Sequence, residues 1–301
     1  MEEFEQEQNT ETPEEIKQAA IGLINIGQNR TALQKLLTLS RITPEDSEVF
    51  YNIGIILEKL KYPEKALDAY LKAIELNPES IDCKFNLAST YSNLKEYEKA
   101  VELFEEILSQ DSEDTNARFN LAIAQSRLKM TEQAIENFKT VLSQTPEDAL
   151  AMFYLAYELK EKGETEGAIE LYEKAIGLSP QYSWAYFNLA SIYYEQKDLK
   201  KTVENLEKVI KITPNDIGAL KLYANIMFQT NDIKKALELI SQAIKYSPVN
   251  AELYYLEAKI YLSQNNLASY EKSMKSAIDN AEEGSRFKKV LELELKNHIK
   301  K

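Results

Sequence analysis

Few side chains in this sequence could make or break bonds. The only histidine, His298, stands in the last helical segment, and the only cysteine, Cys83, has no histidine near it in sequence. Cys83 falls on a helical pattern, where a half-buried structural thiol is expected rather than a nucleophile. No GxGxxG turn, Walker A loop, CxxC pair or HExxH helix occurs. Carboxylates are plentiful, but they alternate with lysines at helix-surface spacing, as in EKALDAYLK (Glu64–Lys72), where solvated charge is the expected reading. Catalysis is therefore not expected, and no cofactor, metal or small-molecule substrate is implied.

What the chain has in quantity is aromatic and amide side chains on helical spacing. QYSWAYFNLASIYY (Gln181–Tyr194) carries six aromatics, including the only tryptophan. Tyr186, Leu189, Ala190 and Tyr193 follow the i, i+3, i+4, i+7 pattern of one buried stripe. Trp184, Phe187, Asn188, Ser191 and Tyr194 line a second face. One helix with two such faces must touch two things.

The elements that position these residues repeat with a period of 34. Pro44, Pro78, Pro146, Pro180, Pro214 and Pro248 share one phase, with Ser112 at the place that lacks its proline. Blocks of that length run without insertion as 13–46, 47–80, 81–114, 115–148, 149–182, 183–216, 217–250 and 251–284. The eighth place is always small: Ala20, Gly54, Ala88, Ala122, Ala156, Ala190, Ala224 and Ala258. The twentieth is small in seven blocks, from Ala32 to Ala236, with Thr202 the largest of them; Tyr270 breaks the rule in the last. Small residues at both places let two antiparallel helices approach closely. Leu87, Leu121, Leu155 and Leu189, with Phe104, Phe138 and Tyr172, supply the filling. The prolines end each second helix, and the aspartates of TPED (Thr43–Asp46, Thr145–Asp148) and TPND (Thr213–Asp216) suit the cap of the next.

This pattern resembles the tetratricopeptide repeat (TPR) family, most plainly in YNIGIILEKLKYPEKALDAYLKAIELNP (Tyr51–Pro78). The tryptophan favoured at the fourth place is absent, with Phe50, Lys84, Arg118, Met152 and Tyr186 among its replacements. The resemblance implies an all-α fold, a TPR solenoid of antiparallel helix pairs forming a right-handed superhelix. An acidic disordered tail is expected at 1–12, eight repeats at 13–284 and a capping helix at 285–301. TPEE (Thr12–Glu15) reads as a helix start, and Phe287, Leu291, Leu295 and Ile299 as the apolar stripe of the cap. Glu292 stands where a further helix would need a small residue. Tyr270 leads to the expectation that the last pair packs less regularly.

The resemblance also implies that the first helix of each pair lines a concave groove. The second face of the Trp184 helix would then be groove, and related residues recur at its places. Phe187 is echoed by Tyr51, Phe85, Phe119 and Phe153, and Asn188 by Asn52, Asn86 and Asn120. Tyr154, with Tyr157 one turn on, takes over in the fifth repeat. The row of asparagines resembles the ladder of the transferase that attaches N-acetylglucosamine to proteins, where amides hold an extended peptide backbone. An amide offers both donors and an acceptor, which match any peptide unit. Aromatics beside it add apolar area at low entropic cost. Two roles stay open for these residues, holding a ligand or bridging adjacent helices. The places that carry the basic residues of the TPRs that clamp chaperone tails are here mostly aromatic, which disfavours that reading. Asp82, Arg127, Lys160, Glu161, Glu195 and Lys221 are mixed in sign, so no strongly acidic or basic ligand is expected.

The formal net charge of −13 disfavours nucleic acid and anionic membranes as partners. Seven glutamates and no basic residue lie in the first fifteen positions, whereas 285–301 holds six Lys or Arg against two Glu. No apolar run approaches membrane-spanning length, MEEFEQEQNTETPEE has no signal-peptide character, and one cysteine allows no internal disulfide. A cytoplasmic setting is the expectation. The expected function is a non-catalytic scaffold that binds a partner protein or extended peptide in the groove of the third to sixth repeats. The alternatives are a self-associating assembly subunit and the regulatory subunit of a separate enzyme.

Overall fold

The computed structural model describes residues 11–299, and among these the chain forms seventeen α-helices and no strand. They fall into two compact units, Met1–Lys162 and Gly163–Lys301. The first holds α1 (Pro13–Asn25), α2 (Asn29–Ile42), α3 (Ser47–Lys59), α4 (Pro63–Leu76), α5 (Ile81–Asn93), α6 (Tyr97–Gln110), α7 (Thr115–Arg127), α8 (Thr131–Gln144) and α9 (Ala149–Lys162). The second holds α10 (Thr165–Leu178), α11 (Ser183–Glu195), α12 (Leu199–Ile212), α13 (Ile217–Gln229), α14 (Ile233–Tyr246), α15 (Ala251–Ser263), α16 (Leu267–Asn280) and α17 (Arg286–Ile299). Within each unit a helix packs on its neighbours in sequence, and some alternate first helices also meet, such as α3 with α5 and α13 with α15. Of the tail expected at 1–12, residues 1–10 lie outside the described residues. Glu11 accepts a 2.8 Å hydrogen bond from Lys35, and Thr12 closes a capping box with Glu15 at the start of α1.

Local chemistry sets the boundaries. Asp46, Asp114, Asp148, Asp216 and Asn250 accept hydrogen bonds from backbone N–H groups in the first turns of α3, α7, α9, α13 and α15. Each satisfies a donor that the helix itself leaves over. Within each unit the turn inside a pair is closed in one way. The residue at the fifteenth place takes a left-handed backbone: Gly27 (φ 77), Lys61 (66), Lys95 (65), Lys129 (62), Gly163 (92), Lys197 (63), Asn231 (66) and Asn265 (56). The next N–H then reaches back over the turn, as from Tyr62 to the Leu57 carbonyl and from Glu96 to that of Tyr91, both at 2.9 Å. This is a Schellman ending, and glycine is its least strained residue. Lysine at four of these places carries the cost of a Cβ in the left-handed region.

The small residues do what their size allows. Every alanine at the eighth and twentieth places is fully buried, as is Thr202. Gly54 goes furthest, since a Cβ there would come within 2.4 Å of the Tyr70 ring. Tyr70, Phe104, Phe138 and Tyr172 are wholly buried and fill the space beside these contacts. At the fourth place two polar residues span the pair instead of a tryptophan. Lys84 Nζ lies 2.6 Å from Glu106 Oε1, and Arg118 Nη1 donates to Asn137 Oδ1 at 3.1 Å. Cys83 differs from expectation. It is 1% exposed rather than half-buried, its Sγ lies 3.6 Å from the Tyr70 carbonyl oxygen, and burial pushes the thiol pKa up to about 11.

α17 packs Leu291 and Leu295 into a cluster with Tyr270, Met274 and Ala277, with Phe287 beside it. The bulk that the sequence flags at Tyr270 is taken up there: the residue is 1% exposed and its ring centroid lies 5.2 Å from that of His298. The outer side of α17 leaves Val290 and Leu293 exposed. The side chain of Ile299 lies outside the described residues.

Candidate functional site

Four of the candidate rings do structural work as well as lining a surface. Phe85 meets Phe104 edge-on at 5.6 Å between centroids, and Phe119 meets Phe138 at 5.8 Å, each across its own helix pair. Tyr154 stacks on Phe138 at 5.7 Å and meets Phe119 edge-on at 5.8 Å, so it joins α9 to the preceding repeat. Phe153 corrects the reading of it as an open groove residue: it is 8% exposed, with its ring edge-on to Tyr154 at 5.3 Å. Phe85, Phe119, Tyr154 and Tyr157 are half-buried. They present part of their area on the first-helix face and part to their neighbours.

Of the four asparagines, one bridges adjacent helices and three bond within their own helix. Asn86 Nδ2 donates to the Tyr51 hydroxyl at 3.1 Å, a bridge from α5 to α3. Asn52, Asn120 and Asn188 instead donate 2.8 Å hydrogen bonds to the carbonyls of Glu48, Asn116 and Trp184, four residues back on their own helices. In these three the Nδ2 is tethered locally and the helix sets the direction of the amide. Asn52 is only 9% exposed, so it offers much less surface than its sequence place suggests. Asn120 and Asn188 are half-buried.

In the second unit α11 carries the most open part of the face. Trp184 is 62% exposed, a large apolar area left to water. Ser191 Oγ donates to the Phe187 carbonyl at 3.0 Å, and Tyr194 is half-buried. Phe187 packs partly into the core, and Gly218 on α13 leaves its ring edge uncovered. A Cβ at Gly218 would sit 3.5 Å from Phe187 Cζ. Trp184, Phe187 and Asn188 thus form one apolar step with an amide at its side.

Two lysines complete the face and were readable only by comparing repeats. Lys17, at the fifth place of the first repeat, holds Asp46 at 2.7 Å and Glu48 at 3.0 Å, and these contacts raise its pKa. Lys221, at the same place in the seventh, pairs with Glu252. In both, a fifth-place ammonium meets the second-place glutamate of the next repeat. Where that place holds an aromatic, no such pair can form. The Tyr51 hydroxyl pKa is raised by burial first and by the nearby Asp82 charge second. Among the described residues no group of side chains is arranged to hold a metal ion. Nor is any helix of the described residues long and apolar enough to cross a membrane.

No curated protein matches the chain. Among solved structures it is similar to MamA 41-end from Desulfovibrio magneticus RS-1, with TM-score 0.54 and 20% identity over 56% of this chain and 96% of that one. It is also similar to MamA MSR-1, with TM-score 0.52 and 24% identity over 56% and 97%. A third is YrrB, described as a TPR protein with an unusual peptide-binding site, with TM-score 0.50 and 22% identity over 62% and 95%. At these identities the likeness is one of fold. Family models described as "Tetratricopeptide repeat" match residues 47–80, 69–102, 94–156 and 194–260, and one described as "TPR repeat" matches 156–197. With helix pairs in tandem throughout and repeat models matched from residue 47 to residue 260, the chain belongs to the tetratricopeptide repeat family.

Proposed function

We propose that this chain is a scaffold without catalysis of its own, which holds an extended segment of a partner protein on its first-helix faces. The observation that carries the reading is Trp184, 62% exposed beside Phe187 and Asn188. A soluble helix gains nothing by placing a tryptophan in water, whereas exposed aromatics flanked by amides are common binding anchors. Asn120 and Asn188 support it, because their amides are oriented by their own helices rather than consumed in bridges between helices. The test is affinity capture with the full chain, identification of what is retained, and the same capture with Trp184→Ala and with Asn120→Ala/Asn188→Ala. The expected result is that both variants melt like the wild type and lose the partner by about fivefold or more in Kd, roughly 1 kcal/mol for each truncated contact. Partners retained equally by every variant would refute the site. A chain that instead associates with itself in light scattering, with Trp184 emission shifting as it does so, would favour the assembly reading.

A further inference from the structure

The repeats themselves show what belongs at one otherwise unfilled place. Lys17 meets Glu48, and Lys221 meets Glu252, each from the fifth place to the second place of the following repeat. Phe85 is followed at that second place by Asn116, Phe119 by Leu150 and Phe187 by Gly218, so an aromatic is matched by an uncharged residue. One step breaks the correspondence. Tyr51 is aromatic, yet the next second-place residue is Asp82, an exposed carboxylate with no ion pair or hydrogen bond among the described residues.

The space between them is a cleft of about 300 Å³ between α3, the end of α4 and the start of α5, lined by Glu48, Tyr51, Asn52, Asn77, Ser80 and Asp82. Its carboxylates, Glu48 and Asp82, can only accept, while the Tyr51 and Ser80 hydroxyls keep a proton to donate. Asn52 is nine-tenths buried; its Nδ2 is taken by the Glu48 carbonyl, and its Oδ1 has no donor among the described residues. Tyr51 Oη already accepts from Asn86, and Ser80 Oγ from the Cys83 N–H. No lysine or arginine of the chain lines the cleft.

Building on the scaffold reading, we infer that the cleft between Tyr51 and Asp82 receives a lysine or arginine side chain of the bound partner. That cation takes the place Lys17 and Lys221 fill elsewhere in the array. The partner is then a polypeptide with one basic anchor at this step and apolar groups at neighbouring ones. Glu48 is already engaged by Lys17, so Asp82 supplies the uncompensated charge, and the Asn52 Oδ1 supplies an acceptor for a second N–H.

The probe is a library of random linear peptides displayed on phage and selected on the full chain. A peptide so enriched is then synthesised and titrated. Enriched sequences should share a Lys or Arg at one fixed position. Asp82→Asn should weaken the peptide by about tenfold, the scale of one charge-assisted contact. Replacing the basic residue of the peptide with norleucine should do the same to wild type, and little more to Asp82→Asn. Asp82 is exposed, so the variant is expected to fold normally, and an unchanged circular dichroism melt checks this. Enriched peptides that lack a basic residue, or independent effects of the two changes, would overturn the cation slot. If those same peptides were still lost on Asn120→Ala, the scaffold reading would survive that outcome. A selection that enriches no peptide would overturn both.

Discussion

The Lys84–Glu106 pair allows a sharp test of what stabilises α5 against α6. The ammonium is nearly buried, its side chain 5% exposed, while the carboxylate 2.6 Å away is 49% exposed. The two ends of one ion pair therefore stand in different solvents. Removing one member of a fully buried pair costs about 3–5 kcal/mol, because the other is left charged and unsolvated. Here the carboxylate is half in water, so its attraction is screened, and Glu106→Ala is expected to cost about 1–2 kcal/mol. Lys84→Met keeps the apolar stem, removes the charge that needs a partner and leaves Glu106 free to hydrate, so it should change stability by only about 0.5 kcal/mol. The double variant should resemble Lys84→Met alone, giving a coupling of about 1–2 kcal/mol. Urea unfolding of the full chain followed by circular dichroism reads these as midpoint shifts at constant slope. Amide exchange confined to α5 and α6 would locate them. If Lys84→Met proves more costly than Glu106→Ala, the buried ammonium itself contributes net stability and the reasoning about unequal solvation is wrong.

Deleting residues 285–301 uncovers Tyr270, Met274 and Ala277, and should lower the melting temperature and bring on aggregation in light scattering. Lys95→Gly removes a left-handed Cβ costing about 1–2 kcal/mol against roughly 0.5–1 kcal/mol of extra chain entropy, so a thermal melt should show a small gain, about 0.5–1 kcal/mol. Stability should fall as pH rises from about 9 to 12. Cys83 and Tyr270 have folded pKa values raised to about 11 and about 12, mainly by burial, so the unfolded chain loses these protons first and is favoured through that window. Below it both groups are protonated in either state, and chemical denaturation at pH 7 and 8 should agree. Cys83 should also resist a thiol reagent until the chain unfolds.

The period of 34, the small eighth and twentieth places and the capping aspartates are legible in sequence because each is set by contacts within a few residues or by a hard steric limit. Ala88 or Ala122 admits no larger reading, and Asp46 before a helical stripe has one obvious use. The candidate site was less legible. Helical spacing places Phe85, Phe119 and Phe153 on a face, but not the rotation that turns one ring toward Phe104, another toward Phe138 and buries the third. Asn86 and Asn120 occupy the same place, yet Asn86 bridges to Tyr51 while Asn120 bonds within its helix. The difference arises from the neighbour: Asn86 follows a repeat with a tyrosine hydroxyl at the fifth place, and Asn120 follows one with Phe85. The full depth of Cys83 was not legible because the Tyr70 carbonyl it lies against belongs to α4, 13 residues away and outside any local window. The lysine pairs were present in the sequence all along, but only as a correlation between places 31 residues apart.

That each helix within a unit packs on its sequence neighbours there, with a Schellman turn at one fixed place in the pairs of that unit, has a kinetic consequence. Closing a repeat requires only a short loop, so little chain entropy is lost before a contact rewards it. Folding within either unit can start at any pair and spread outward, instead of waiting for distant segments to meet. The last parts to form, and the first to open, are then the ends rather than the middle. Cutting the gene at a repeat boundary inside a unit should shorten the array without changing how the remainder reaches its structure, provided the new end is given a helix with one polar side.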